Sequence, residues 1–276
     1  MLYDLRKNAD SLVNEMLDTT VGLPSGIAAL DEKLLGFSPG ELIIIAGRPG
    51  MGKSSLARDI ALAIGKNSTV VFYSLEMNNS EVGQLLLSNL AKIDYYTTKR
   101  GNITDNIKSR LDESSRQLST YSILINDDTC LTPALIQREL AEIIKTESIS
   151  CVIIDYLQLM SIKGHSKRVE EVTQISRELL GLAKTFYIPI IAMSQLNRQL
   201  EYRESTRPRL SDLRESGSLE QDANKVLLIH RPSYYDLKIN PDATDTGEAE
   251  IIIAKNRKGP CGVVPCAWIA EYMSFM

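Results

Sequence analysis

The sequence predicts an α/β fold: a mostly parallel sheet with helices on both faces and an antiparallel edge hairpin near the C-terminus. Three observations predict it. Strand-like runs at 42–46, 69–73, 121–125, 151–154, 188–193 and 226–230 are almost continuously apolar, as strands buried on both faces are. Helix-like segments at 54–65, 79–92, 106–118, 133–146 and 167–187 separate many of them, as crossovers between parallel strands require. A last pair of strands, near 250–254 and 263–268, is joined by Lys255-Asn256-Arg257-Lys258-Gly259-Pro260, a connection that suits an antiparallel hairpin.

At 276 residues the chain is long enough for one large α/β domain or two small ones. Its formal net charge of −4 excludes a generally basic nucleic-acid binder, so contact with DNA would need a local cationic surface. No apolar stretch approaches the ~20 residues of a membrane span, so no membrane partner is expected. Met1-Leu2-Tyr3-Asp4-Leu5-Arg6-Lys7 lacks the apolar core of an export signal. Cys130, Cys151, Cys261 and Cys266 form no C-x-x-C pair. Reduced thiols in a cytoplasmic compartment are therefore expected, with Cys151 buried at the start of its strand.

The elements follow in order. Residues 4–17 set Leu5, Ala9, Leu12, Val13, Met16 and Leu17 at helical spacing on one face, and Asp18-Thr19-Thr20 ends the run. Residues 1–20 thus read as an N-terminal helix and 21–276 as one domain, joined at the turn-rich Gly22–Gly26. A short helix from Ile27 to Leu35 and the turn Gly36–Gly40 lead into the first core strand.

That strand, Leu42–Ala46, runs into Gly47-Arg48-Pro49-Gly50-Met51-Gly52-Lys53-Ser54, with Ser55 continuing into a helix. This is G-x-x-x-x-G-K-S between a strand and a helix, the pattern that cradles nucleotide phosphates. Backbone N–H groups and the helix N-terminus face the phosphates. Lys53 would reach the outer phosphates and Ser54 would ligate Mg2+. A nucleoside triphosphate with Mg2+ is the expected ligand.

Three further strands end in groups suited to this chemistry. Cys151–Ile154 ends at Asp155, which in a parallel sheet falls beside the phosphate loop and can share Mg2+ with Ser54; an Asp there can also merely cap a turn. Val70–Tyr73 is followed by Glu76, able to orient and deprotonate an attacking water, with Glu81 as a competitor. Ile188–Ser194 ends at Gln195, whose amide can donate to a γ-phosphate or pack in a loop. Residues 195–224 are polar, Arg-rich and without clean periodicity, as functional or disordered loops are.

The ordered segments GRPGMGKS, SLEM, VIIDYLQLM, MSQLNRQLE, DLRESGSLEQDANKVLLIHR and IIIAKNRKGPCGVV resemble the motor domain of DnaB-type hexameric replicative helicases. The resemblance runs from about Gly22 to the C-terminus, and DLRESGSLEQDA and AKNRKGP are its specific parts. It implies a RecA-like P-loop ATPase core, with ATP as the nucleotide. It also implies that Lys53 and Ser54 bind phosphate and Mg2+, that Glu76 is the catalytic base, that Asp155 organises Mg2+ and that Gln195 senses the γ-phosphate. Lys255 and Arg257 match the pair inserted into a neighbouring subunit's ATP site, Arg257 being the arginine finger. Arg214, Glu215 and Gly217 match positions that meet the backbone of single-stranded DNA.

The function implied is an ATP-dependent replicative helicase acting as a homo-oligomer, a hexamer in this family, with a loader protein as a further partner. Residues 4–17 resemble only the linker helix ahead of the motor. The primase-binding N-terminal domain usual in the family has no counterpart in the sequence, which sets primase binding aside. Two other readings use the same residues: a RecA-type recombination ATPase, and a nucleotide-gated assembly or loading module that does not unwind.

Overall fold

The computed structural model describes residues 5, 13, 22–162, 167–203, 205–240 and 242–276, and leaves out the side chains of 214–217 and 239. The linker helix expected at 4–17 lies outside the described residues, apart from Leu5 and Val13.

Among the described residues, nine strands form one sheet in the order β3-β2-β4-β5-β1-β6-β7-β8-β9. The strands are β1 Leu42–Gly47, β2 Thr69–Ser74, β3 Ile123–Asn126, β4 Ile149–Asp155, β5 Ile190–Gln195, β6 Lys225–His230, β7 Glu248–Asn256, β8 Gly262–Ile269 and β9 Ser274–Phe275. Strands β1 to β6 pair in parallel, whereas β7, β8 and β9 add antiparallel at one edge. Every residue of β1, β2 and β6 is buried. Since successive side chains point to opposite faces, both faces there are covered. The expected architecture is present.

The helices are α1 Ala28–Leu34, α2 Lys53–Gly65, α3 Asn79–Ala91, α4 Tyr95–Lys99, α5 Asp105–Leu118, α6 Pro133–Ile143, α7 Arg168–Phe186, α8 Gly217–Asp222 and α9 Pro232–Ile239. Their starts follow local chemistry. Asn78, Thr104 and Thr132 each accept a backbone N–H of the first turn, and Pro133 supplies a pre-set φ at the head of α6. Helices α4, α8 and α9 and the two-residue β9 carry too little periodicity to be read from sequence, and they are the elements the sequence reading lacked. The polar stretch 195–224 is not featureless: it holds 3-10 turns at Arg198–Tyr202 and Leu210–Ser216, and then α8.

Cys151 is fully buried, and burial pushes its thiol up, out of reactive range. Cys130 and Cys261 are exposed.

Candidate active site

Strand β1 ends at Gly47, and the chain turns through Gly50 (φ 80°) and Gly52 (φ 96°) before α2 begins at Lys53. Both glycines are required twice over. Their φ values suit no β-carbon. A β-carbon at Gly50 would also stand 2.3 Å from the Tyr234 hydroxyl, and one at Gly52 2.8 Å from the Phe275 ring. The loop backbone is thus seated beneath an aromatic cover from the C-terminal third of the chain. Met51 anchors it in the core, 1% exposed.

A cavity of about 400 Å³ opens over this loop. Pro49, Gly50, Gly52, Lys53, Ser54 and Ser55 line its floor, and Glu76, Gln195, Tyr156, Trp268 and Met273 line the rest. A wider groove of about 550 Å³ lies between β3 and α6, and none of the sequence-selected residues lines it.

Asp155 is 1% exposed, and neither carboxylate oxygen has a well-formed hydrogen bond. Burial pushes its carboxyl up, opposed by the nearby Ser54 hydroxyl and by the charges of Arg58 and Lys53. Burial also lowers Lys53, opposed by Asp155 and Glu76. In this arrangement Lys53 Nζ donates to the carbonyl of Arg48 at 3.2 Å. An orphaned carboxylate beside a hydroxyl is a donor set that suits a hard cation such as Mg2+.

Glu76 and Glu81 separate cleanly. Glu81 Oε2 accepts from Asn78 N at 3.3 Å while its own N–H donates to Asn78 Oδ1 at 2.9 Å, closing a capping box on α3. Glu76 faces the cavity.

Gln195 is held by a residue that sequence reasoning missed. Gln158 Nε2 donates to Ser194 Oγ at 2.8 Å and to the Gln195 carbonyl at 3.3 Å, and Gln158 Oε1 accepts the Gln195 N–H at 3.2 Å. The available signal was a lone amide inside the apolar run Leu157–Leu159. Arg231 was also missed. Its Nη1 donates to the Gly50 carbonyl at 3.1 Å, its Nη2 pairs with Asp245 at 3.1 Å, and its guanidinium lies 4.3 Å from the Trp268 ring centre. Asp59 was the third. It accepts from Asn89 at 2.7 Å, Ser274 at 3.0 Å and the Phe275 N–H at 2.8 Å, fastening β9 to α2. Burial pushes its carboxyl up to about 6.

Lys255 and Arg257 do not reach this cavity. Register puts Asn256 opposite Lys225, and Lys225 opposite Ile43. The hairpin therefore lies at the amino ends of the parallel strands, whereas the phosphate loop leaves the carboxyl end of β1. The four residues from Ile43 to Gly47 span about 13 Å. Lys255 Nζ donates to the carbonyls of Glu220 (2.5 Å) and Gln221 (3.2 Å), and Arg257 Nη2 also donates to Gln221 O. Beneath the hairpin, the buried Lys225 pairs with the buried Glu41 at 2.5 Å.

Arg214 and Glu215 fall in the 3-10 turn Leu210–Ser216, and Gly217 opens α8; their side chains lie outside the described residues. Of the other arginines in that stretch, Arg203 pairs with Asp212 at 2.7 Å and Arg207 with Glu250 at 3.0 Å. Tyr202 is 87% exposed.

Residues 22–276 match the family described as the DnaB-like helicase C terminal domain. The chain is 41% identical to the replicative DNA helicase DnaB of Mycoplasma genitalium, over 92% of this chain and 56% of that protein. It is 37% identical to the replicative DNA helicase DnaC of Bacillus subtilis, over 100% and 61%. The chain thus spans about three fifths of the length of these curated relatives. Among solved structures, the ATPase domain of G40P superimposes with a TM-score of 0.93 at 33% identity, covering 100% of this chain and 99% of that one. A DnaB-like replicative helicase studied for its interactions with primase gives 0.92 at 33%, covering 99% and 68%.

Proposed function

The chain belongs to the DnaB-like helicase C-terminal domain family, and from that premise we propose that it is the ATP-driven motor of a replicative DNA helicase, working as a homo-oligomeric ring on single-stranded DNA. A hexamer is the ring size the resemblance implies.

The observation that carries this reading is the separation of two sets of residues. One copy gathers Lys53, Ser54, Glu76 and Gln195 around a single cavity, with Asp155 buried beside Ser54. The same copy holds Lys255 and Arg257 at the other ends of the strands. A nucleotide site that uses both sets needs a second copy, and a head-to-tail interface repeated to closure is a ring.

Position around the cavity supports the roles of Lys53, Ser54, Asp155, Glu76 and Gln195, and the resemblance supports the others. Lys53 and the loop amides bind the outer phosphates. Ser54 and Asp155 would hold Mg2+, which supplies positive charge against the phosphates when bound. Glu76 takes up the proton of the attacking water, and Gln195 donates to the γ-phosphate. Arg257 of the adjacent copy meets the charge developing on the transferred phosphoryl group, with Lys255 beside it. Arg214, Glu215 and Gly217 meet the DNA backbone. A cavity-facing carboxylate supports hydrolysis over a non-hydrolysing assembly module, and family membership favours a helicase over a recombination ATPase.

Mixing two variants tests the reading. Lys53→Ala and Arg257→Ala should each lack DNA-stimulated ATP hydrolysis alone. Co-assembled in equal amounts, about a quarter of head-to-tail interfaces would pair an intact Lys53 with an intact Arg257. Hydrolysis should then return in the mixture. No recovery in demonstrably mixed rings would sink the shared site, and wild-type hydrolysis indifferent to single-stranded DNA would sink the motor.

A further inference from the structure

Arg48 sits within the phosphate loop, where a cation would be expected to face phosphate. Its side chain instead turns inward, 5% exposed. Nε pairs with Glu201 Oε1 at 2.8 Å, and Nη1 donates to the Leu196 carbonyl at 2.6 Å. Leu196 and Glu201 flank and enter the 3-10 turn Arg198–Tyr202, the entry to the segment that ends in Arg214, Glu215 and Gly217. The main chain of Arg48 serves a second master: its carbonyl accepts Lys53 Nζ at 3.2 Å and the Met51 N–H at 3.2 Å.

We propose that Arg48 is a positioning residue that couples phosphate occupancy of the loop to the DNA-contacting segment, with Glu201 as its receiving carboxylate. The proposal rests on the nucleotide and DNA reading given above. An incoming phosphate offers Lys53 a charge-assisted hydrogen bond, about twice as strong as one to a neutral carbonyl. Lys53 therefore exchanges the Arg48 carbonyl for phosphate oxygen. The Arg48 peptide, released on one side, reorients, and its planar guanidinium carries the shift to Leu196 and Glu201 together. A two-point fork transmits orientation as well as attraction, which a lysine at this position would not do.

The contacts continue beyond Glu201. The Asn197 N–H donates to the Asp212 carbonyl at 3.2 Å, and Asp212 Oδ2 accepts from Arg203 at 2.7 Å and from the Arg209 N–H at 2.7 Å. The entry turn is thus tied across the segment to the 3-10 turn holding Arg214. The hydrogen bond from Arg48 also holds the Glu201 carboxyl below its usual range, as a carboxylate committed to a cation requires. Lys238 stands 3.9 Å from the same oxygen, too long for a hydrogen bond, and serves as a control position.

Hydrogen exchange on the whole chain, with and without a non-hydrolysable ATP analogue and Mg2+, tests the coupling. In the wild type, analogue binding should change exchange across 196–203 by about fivefold or more, the lower end of ordinary coupling. Glu201→Gln should bind the analogue within about threefold of wild type yet lose the response at 196–203, while Glu201→Asp and Lys238→Ala retain it. DNA-free hydrolysis by Glu201→Gln should stay within about twofold, with stimulation by single-stranded DNA lost. A Glu201→Gln response equal to wild type overturns the coupling, as does analogue binding to wild type with no response at 196–203. If the analogue does not bind wild type at all, the nucleotide reading falls and the coupling falls with it. If both exchange results hold but DNA fails to stimulate the wild type, the motor reading alone falls.

Discussion

The phosphate loop and the Lys255–Arg257 hairpin are seated in opposite ways. The loop hangs between β1, buried at every residue, and α2, and is covered by Tyr234, Trp268 and Phe275. Lys255 and Arg257 of the hairpin rest on the carbonyls of Glu220 and Gln221, at the last turn of the short helix α8. Close packing fixes the Gly50–Gly52 turn of the first region, apart from the Arg48 peptide whose carbonyl Lys53 can release, since interiors resist even methylene-sized changes. Carbonyl contacts at a helix end are exchangeable for any better acceptor, and a phosphate is one. A group meant to act within its own subunit can be frozen by the core. In the proposed shared site Arg257 acts on a neighbour, and it is stored where it can leave.

This contrast can be broken by variants that move activity and stability separately. The largest effect is expected from Arg257→Ala. Hydrolysis by the assembled protein should fall about 10³–10⁵-fold, the usual worth of an arginine finger, with thermal stability almost unchanged. A fall in Tm matching the loss of activity would show that the hairpin is structural. Next is Glu76→Gln, expected to cost about 10²–10⁴-fold in hydrolysis with nucleotide binding retained. Glu81→Gln keeps the capping geometry and should leave the rate near wild type; if it proves the more damaging of the two, the assignment of the base is wrong.

Gly52→Ala attacks the fixed region instead. A β-carbon at φ 96° and 2.8 Å from the Phe275 ring should cost about 1–3 kcal/mol of stability and weaken nucleotide binding through the same displacement. Unchanged Tm and affinity would mean that the aromatic cover is loose. A pH-dependent effect of similar size concerns Asp59, raised from 3.8 to about 6 by burial. A carboxyl raised in the folded state adds stability below its unfolded value, and that stability is lost as pH climbs through the folded value. Relative to Asp59→Asn, the wild type should gain at most about 2–3 kcal/mol as pH falls from about 6 to about 4, read as a widening gap in Tm. A gap that does not vary with pH across that window would place the titration elsewhere.

Much of this was legible from the chain. Continuous apolar runs such as Leu42–Ala46 and Cys151–Ile154, alternating with helical segments, read as strands covered on both sides, so the parallel core and the carboxyl-end placement of Asp155 followed. Spacing could not separate Glu76 from Glu81, because the separation lies in which side chain turns back onto its own helix. Gln158, Arg231 and Asp59 were illegible for a different reason. Each acts through a partner distant in sequence: Gln158 on Ser194 and Gln195, Arg231 on the Gly50 carbonyl, Asp59 on the Phe275 N–H. Local pattern carries no trace of such pairs. The stretch 195–224 lacked periodicity because it is built of single turns pinned by ion pairs, which leave no repeating apolar face.

Strand β8 begins at Gly262, just past the hairpin, and runs to Ile269, one residue past Trp268 in the wall of the nucleotide cavity. Its eight residues form a stiff bar about 24 Å long. One end of the bar stands at the cavity lined by Lys53 and Ser54, and the other adjoins the hairpin of Lys255 and Arg257. In the head-to-tail ring proposed above, each subunit's own site and the neighbour its hairpin serves would be the two ends of one strand, and any coupling along it would run both ways.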